Sequence, residues 1–89
     1  MDYIGKNGGT FHLNWSGHFY MYNLLRRLGA DLTEWSDFND GEYISERTCK
    51  KWVALLRHNV GGLGLSQDIE EWILDFASFL DKCGGCYQY

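Results

Sequence analysis

The two cysteines near the end of the sequence, Cys83 and Cys86, have the spacing of a zinc knuckle or a redox dithiol. A redox dithiol needs a stabilised thiolate, often at a helix N-terminus, whereas Cys83 is predicted at the end of a helix. Zinc usually takes about four ligands in two close pairs. The residues that could complete a zinc site form no second close pair: Cys49, His12, His18 and His58. We therefore predict structural cysteines without a bound metal, with a zinc-stabilised module as the alternative.

A catalytic site would need a nucleophile, a base and an orienting group at a recognisable spacing, and the sequence has none. His12 alternates outward on a predicted strand, and His18 lies in the first turn of a predicted helix. Either imidazole could act as a base, but a single histidine is more often just a surface or half-buried side chain. The sequence therefore predicts a protein that is not an enzyme and uses no cofactor.

The segment 31–42 is rich in carboxylates and has no Lys or Arg. Two large rings, Trp35 and Phe38, lie between its charges. Such rings could anchor a partner protein whose groove is both basic and apolar. A solvated loop without a partner is the alternative. The predicted partner-binding residues are Trp35, Phe38, Asp31, Glu34, Asp37 and Asp40.

A second candidate site is basic. Arg47, Lys50 and Lys51 lie in the first turns of a predicted helix, where cations oppose the helix dipole. A helix start with added cations can hold an anion, and a nearby exposed ring could stack on a nucleotide base. The rings considered for stacking are Trp15, Tyr20 and Trp35. Exposed lysines on a solvated helix face are the alternative.

Size and composition limit the classes of protein. The chain has 89 residues, which predicts one domain spanning 1–89, and 17% of its residues are aromatic. It has no apolar run of about 18 residues that would predict a membrane span, and no signal peptide is recognised. An odd number of cysteines favours reduced thiols and a cytoplasmic location. The net charge of −4 argues against general nucleic-acid binding.

Turn and periodicity signals predict the elements that position these residues. Asn7-Gly8 predicts a type I′ hairpin near residues 2–15, and short strands are predicted near 42–45 and 86–89. Apolar stripes predict three helices at about 16–28, 46–59 and 66–83, with Ser16, Ser45 and Ser66 as N-caps. We therefore predict an α+β fold in which a small, mostly antiparallel sheet carries the helices on one face.

Three short motifs resemble a set of small uncharacterised bacterial and phage proteins. These motifs are Phe11-His12-Leu13-Asn14-Trp15, Gly41-Glu42-Tyr43-Ile44-Ser45 and Cys83-Gly84-Gly85-Cys86. With the Gly-containing hairpin, they are similar to an F-x-x-N-x-W type segment, a G-x-Y-[IF]-S strand and a terminal Gly-Gly strand, although Trp15 here directly follows Asn14. The resemblance implies a fold and a bacterial or phage setting, and it implies no activity.

These observations favour a non-enzymatic interaction protein that masks a partner macromolecule, as inhibitors, counter-defence proteins and immunity proteins do. The alternative function is sequestration of a small anionic ligand, such as a nucleotide, at the basic start of helix 46–59. The sequence does not decide between a monomer and a homo-oligomer.

Overall fold

A computed structural model describes all 89 residues. The element order is strand, strand, helix, strand, helix, helix, strand. The strands are β1 (Asp2–Gly5), β2 (Thr10–His12), β3 (Glu42–Ile44) and β4 (Cys86–Gln88). The helices are α1 (Trp15–Arg27), α2 (Glu46–Asn59) and α3 (Gln67–Lys82), and a short 3-10 helix covers Val60–Gly62. The predicted α+β fold is confirmed.

The four strands form one antiparallel sheet in the order β2-β1-β4-β3, so the last strand of the chain lies between β1 and β3. Tyr3 pairs with Gln88, and Ile44 pairs with Cys86. These four side chains are buried. They share the inner face of the sheet, where the ring of Tyr3 packs edge-on against Phe76 of α3. The side chains of this face and of the helices form one continuous core.

The turn between β1 and β2 differs from the predicted type I′ turn. The N–H of Gly8 donates to Gly5 O (3.0 Å), and only Gly8 has a positive φ, of 97°. This geometry is a three-residue loop that ends in a left-handed glycine. Asn7 keeps a negative φ and binds the end of α3 instead, through its side-chain amide to Lys82 O and its N–H to Cys83 O.

Helix α1 begins one residue earlier than predicted and has a different cap. Asn14 Oδ1 accepts a hydrogen bond from the N–H of Gly17 at 2.7 Å, so Asn14 is the N-cap in place of Ser16. Leu13 closes the hairpin by donating its N–H to Met1 O, which leaves Asn14 as the first residue free to cap. Trp15 therefore lies on a helix and not on the second strand.

Helices α2 and α3 follow the predicted pattern closely. Ser45 and Ser66 cap them, as expected from the sequence. The predicted stripe of α2 is buried along its whole length: Cys49, Trp52, Val53 and Leu56. The predicted apolar face of α3 is Ile69, Trp72, Ile73, Phe76, Phe79, Leu80 and Cys83. Ile69 at its start is exposed, Trp72 and Phe79 are half-buried, and the other four are buried. None of the helices is both long enough and apolar enough to cross a membrane.

The turn from α3 into β4 contains two glycines with positive φ, Gly84 at 69° and Gly85 at 97°. A Cβ atom on Gly84 would meet only ordinary van der Waals neighbours. A Cβ atom on Gly85 would collide with the hydroxyl of Tyr43 and approach Ile44 O at 3.2 Å. The path of the chain into the central strand therefore needs glycine at 85 for space as well as for conformation.

We expect Gly85→Ala to lower the free energy of unfolding by roughly 3 kcal/mol or more, because left-handed strain and overpacking act together. Gly84→Ala is the matched control and should cost only about 1 kcal/mol, since it carries the strain alone. Urea denaturation of the two variants measures the difference. Equal losses would contradict the close contact with β3.

Candidate functional site

The acidic segment 31–41 connects α1 to β3, and its tryptophan is not on the surface. Trp35 is only 9% exposed and belongs to the hydrophobic core. Its ring lies 4.6 Å from the ring of His18 and 5.6 Å from that of Trp52, measured between centroids. The predicted role of Trp35 as a partner anchor is therefore wrong. The indole fills the space between α1 and α2. In this position more of its apolar area is removed from water than if the ring lay on the surface of the loop.

His18 is fully buried beneath this segment. Its Nδ1 lies 2.7 Å from the hydroxyl of Tyr3, and its Nε2 lies 3.4 Å from Asp37 Oδ1 without hydrogen-bond geometry. Burial raises the pKa of the Tyr3 hydroxyl, which therefore stays protonated and can donate to Nδ1. That arrangement places the ring proton on Nε2, toward Asp37. Burial also lowers the pKa of His18, while the Asp37 carboxylate opposes the shift.

His18 and Tyr3 have no accessible surface through which a substrate could reach them. The ring of His18 is in contact with Trp15, Phe19 and Trp35, with centroids 5.7, 5.7 and 4.6 Å away. A general base needs to be within hydrogen-bond reach of a substrate proton, and this imidazole is sealed by rings. Its geometry is that of a core residue that fixes α1 against β1.

Glu34 is also occupied within the fold. Its carboxylate accepts hydrogen bonds from Ser45 N–H at 3.0 Å and from the hydroxyls of Ser45 and Thr48. Desolvation would raise the pKa of Glu34, but these hydrogen bonds from Thr48 and Ser45 hold it below its ordinary value. The carboxylate thus sits where an external anion would bind the start of α2. Glu34 is not free to contact a partner, contrary to its predicted role.

The other predicted partner-binding residues do lie on the surface. Phe38 is 72% exposed, the highest value among the large hydrophobic side chains, and the side chain of Asp37 is 53% exposed. Asp31 and Asp40 are exposed too, and each accepts a backbone N–H two residues ahead, from Thr33 and Glu42.

Phe38 is held in a defined position. Its N–H donates to Ser36 Oγ at 3.0 Å, and the Ser36 hydroxyl donates back to Phe38 O at 2.9 Å. Ser36 is in turn fixed to the sheet, because its N–H donates to Gln88 Oε1 at 3.0 Å. The exposed ring therefore projects from an ordered segment.

A shallow hollow of about 330 Å³ opens beside Phe38. Four carboxylates line it and no cation does, so its potential is negative. Its lining residues are Thr33, Glu34, Trp35, Ser36, Asp37, Phe38, Asp40 and Glu42.

Two exposed rings of α1 lie close to this hollow. Trp15 and Phe19 are 46% and 45% exposed and stack on each other at 6.0 Å. Both rings contact His18, whose Nε2 faces Asp37, so the start of α1 borders the acidic segment. We call Trp15, Phe19, Asp37, Phe38 and Asp40 the acidic aromatic surface. Sequence reasoning missed Phe19, although its spacing of four residues from Trp15 predicts contact on a helix.

The residues of the alternative anion site are not brought together. Lys50 Nζ lies 2.8 Å from Asp81 Oδ1, and this ion pair raises the pKa of Lys50 and lowers that of Asp81. Arg47 and Lys51 are exposed on α2, and Lys51 lines a groove of about 440 Å³ beside Trp52. No cavity contains both these cations and the proposed stacking rings, Trp15 and Tyr20. Tyr20 packs on Trp72 of α3 instead, at 5.5 Å.

The three cysteines, by contrast, do meet. Cys49, Cys83 and Cys86 are buried free thiols whose sulfur atoms all lie within 4.8 Å of one another. Cys49 was one of four residues that could have accompanied the pair, and the packing of α2 on α3 brings it there across a separation that the sequence cannot show. None of the three histidines joins the group.

Trp35 and Phe38 are expected to respond oppositely to truncation. Trp35→Ala should lower the free energy of unfolding by roughly 3–5 kcal/mol, because it opens a cavity in the core. Phe38→Ala should change it by no more than about 0.5 kcal/mol, as for an exposed side chain. Chemical denaturation of both variants checks this, and a large loss for Phe38→Ala would place its ring in the core.

Titration of His18 is expected to destabilise the fold in mild acid. Because the folded-state pKa is lowered, the unfolded chain binds more protons once the pH falls below about 6.5, and stability then decreases with falling pH. The slope cannot exceed about 1.4 kcal/mol per pH unit for one proton. Urea midpoints at several pH values should show this slope in the wild type and in His58→Gln, an exposed control. A slope that persists unchanged in His18→Gln would assign it to another group.

Comparison of the chain with protein-family models, with curated proteins and with solved structures finds no match.

Proposed function

We propose that this chain is a non-enzymatic interaction protein that binds and masks a basic surface of a partner protein. The observation that carries the proposal is Phe38, a strongly exposed ring held in place between two exposed carboxylates, Asp37 and Asp40. An exposed aromatic side chain loses unfavourable contact with water when a partner's apolar pocket covers it.

The order of the segment around Phe38 favours binding. Its backbone is fixed by Ser36, and Ser36 is fixed by the buried amide of Gln88. Little conformational entropy is then lost when a partner closes on the ring, so more of the contact energy appears as affinity. Aromatic anchors of this kind supply much of the binding energy in protein interfaces.

Charge specifies the kind of partner. The hollow beside Phe38 is lined by Glu34, Asp37, Asp40 and Glu42, and the chain as a whole carries a net charge of −4. An Arg or Lys side chain entering this hollow would form charge-assisted hydrogen bonds with the free carboxylates. The fitting surface is therefore an apolar pocket with a basic rim, and the acidic field would speed association.

The resemblance to bacterial and phage proteins supplies the setting of the proposal. In that setting a small chain that masks a basic partner would act as an inhibitor, a counter-defence protein or an immunity protein. A cytoplasmic location suits its three cysteines, which are all free thiols.

We expect wild-type protein immobilised on a resin to retain one basic protein from a bacterial lysate at a fixed ratio. Phe38→Ala should lose this protein, because the anchor is gone. Ile69→Ala is the matched control, since Ile69 is an exposed apolar side chain on α3, outside the acidic aromatic surface. Mass spectrometry of the eluates and of extracted small molecules gives the readout.

With the purified partner, Phe38→Ala should weaken binding by roughly 2 kcal/mol, about 30-fold. Asp37→Asn with Asp40→Asn should slow association and flatten its dependence on salt, with little change in stability. Equal retention by the wild type and Phe38→Ala would reject this surface. A nucleotide as the only bound molecule would favour the anion-binding alternative instead.

A further inference from the structure

The cluster of three cysteines has no role in the acidic aromatic surface. Cys49 lies in the first half of α2, Cys83 ends α3 and Cys86 begins β4, so three elements converge on it. The Sγ atoms of Cys49 and Cys83 are 3.7 Å apart, and all three sulfur atoms lie within 4.8 Å of one another. The thiols are free, and each residue is at most 1% exposed.

We propose that Cys49, Cys83 and Cys86 form a binding site for one monovalent copper ion. Soft thiolate sulfur is the ligand type that Cu(I) prefers. An ion about 2.3 Å from each of three sulfur atoms in a plane holds those atoms about 4 Å apart. The observed spacing is close to this value, so the site needs only small side-chain movements to close on an ion.

The composition of the cluster selects copper over zinc. Structural zinc sites take about four protein ligands, and here no imidazole or carboxylate accompanies the three thiols. Cu(I), a monovalent d¹⁰ ion, can be bound by three sulfur ligands alone, whereas a zinc ion here would lack its fourth ligand.

A surface cavity borders the cluster at Cys83. It has a volume of about 390 Å³ and lies between the β1–β2 hairpin and α3, and Cys83 is part of its wall. Lys82 lines the same cavity. This cavity is the side from which an ion would approach the cluster in the folded protein.

Metal binding must displace the thiol protons. Each thiol that becomes a copper thiolate releases one proton to solvent, and no electron is transferred. Affinity for Cu(I) is therefore expected to fall as the pH is lowered.

The test is a titration of the purified protein with Cu(I) under nitrogen, in competition with a chromophoric Cu(I) chelator. We expect thiolate-to-copper absorption that saturates at one ion per chain. Native mass spectrometry should show the mass of one copper less the displaced protons. The melting temperature should rise on loading, since the ion ties α2, α3 and β4 together. Zinc in the same titration should not be retained stoichiometrically.

Replacing any one cysteine by serine should weaken Cu(I) binding by more than about 100-fold, which exceeds the usual effect of altering a residue outside the ligand set. Met21→Leu is the matched control, because it removes the other fully buried sulfur and leaves the thiols intact. X-ray absorption of the wild-type copper complex needs no variant and should count three sulfur neighbours. Absence of stoichiometric binding, undiminished binding by Cys49→Ser, or a count of two sulfur atoms would each overturn the proposal.

Discussion

The buried carboxamide of Gln88 constrains the rest of the structure. It sits on the central strand with no exposed surface, where an unpaired amide would cost about 1–3 kcal/mol. Both ends of the amide are paired: Gln88 Oε1 accepts a hydrogen bond from the N–H of Ser36, and Gln88 Nε2 donates one to Glu34 O. The segment on either side of Trp35 is thereby tied to the sheet. With both neighbours fixed, the indole turns into the core, and Asp37 and Phe38 remain outside.

The charged side chains also divide into those that pair within the fold and those that remain free on the surface. Glu34 is used to hold the start of α2, and Asp81 is used to hold Lys50, so these ionised groups complete the fold. Asp40 forms no ion pair within the chain, and Asp37 approaches only the buried imidazole of His18, at 3.4 Å. The acidic aromatic surface differs from the rest of the molecule because exposed carboxylates lie there beside an ordered aromatic ring, that of Phe38.

Local signals in the sequence were sufficient for most of the fold. Serine caps, apolar periodicity and glycine stops specify their helices from neighbours a few residues away, and α2 and α3 formed as expected. The contacts that were not predicted involve distant partners. Asn7 binds the end of α3, Trp35 is drawn under the sheet, and Cys49 meets Cys83 across 34 positions. Within the candidate site, Phe38, Asp37 and Asp40 are exposed and Trp35 is buried, a difference that the sequence could not show because burial depends on tertiary contacts.

The position of β4 has a consequence for how the chain folds. Tyr3 on β1 pairs with Gln88 on β4, so residues from opposite ends of the sequence are neighbours in the middle of the sheet. Closing a loop of this length costs about 4 kcal/mol of chain entropy before any strand pairing offsets it. The α2–α3 hairpin and the β1–β2 hairpin need only local closure. We therefore expect the helical and β1–β2 hairpins to form first and β4 to complete the sheet last, when it pairs with both β1 and β3.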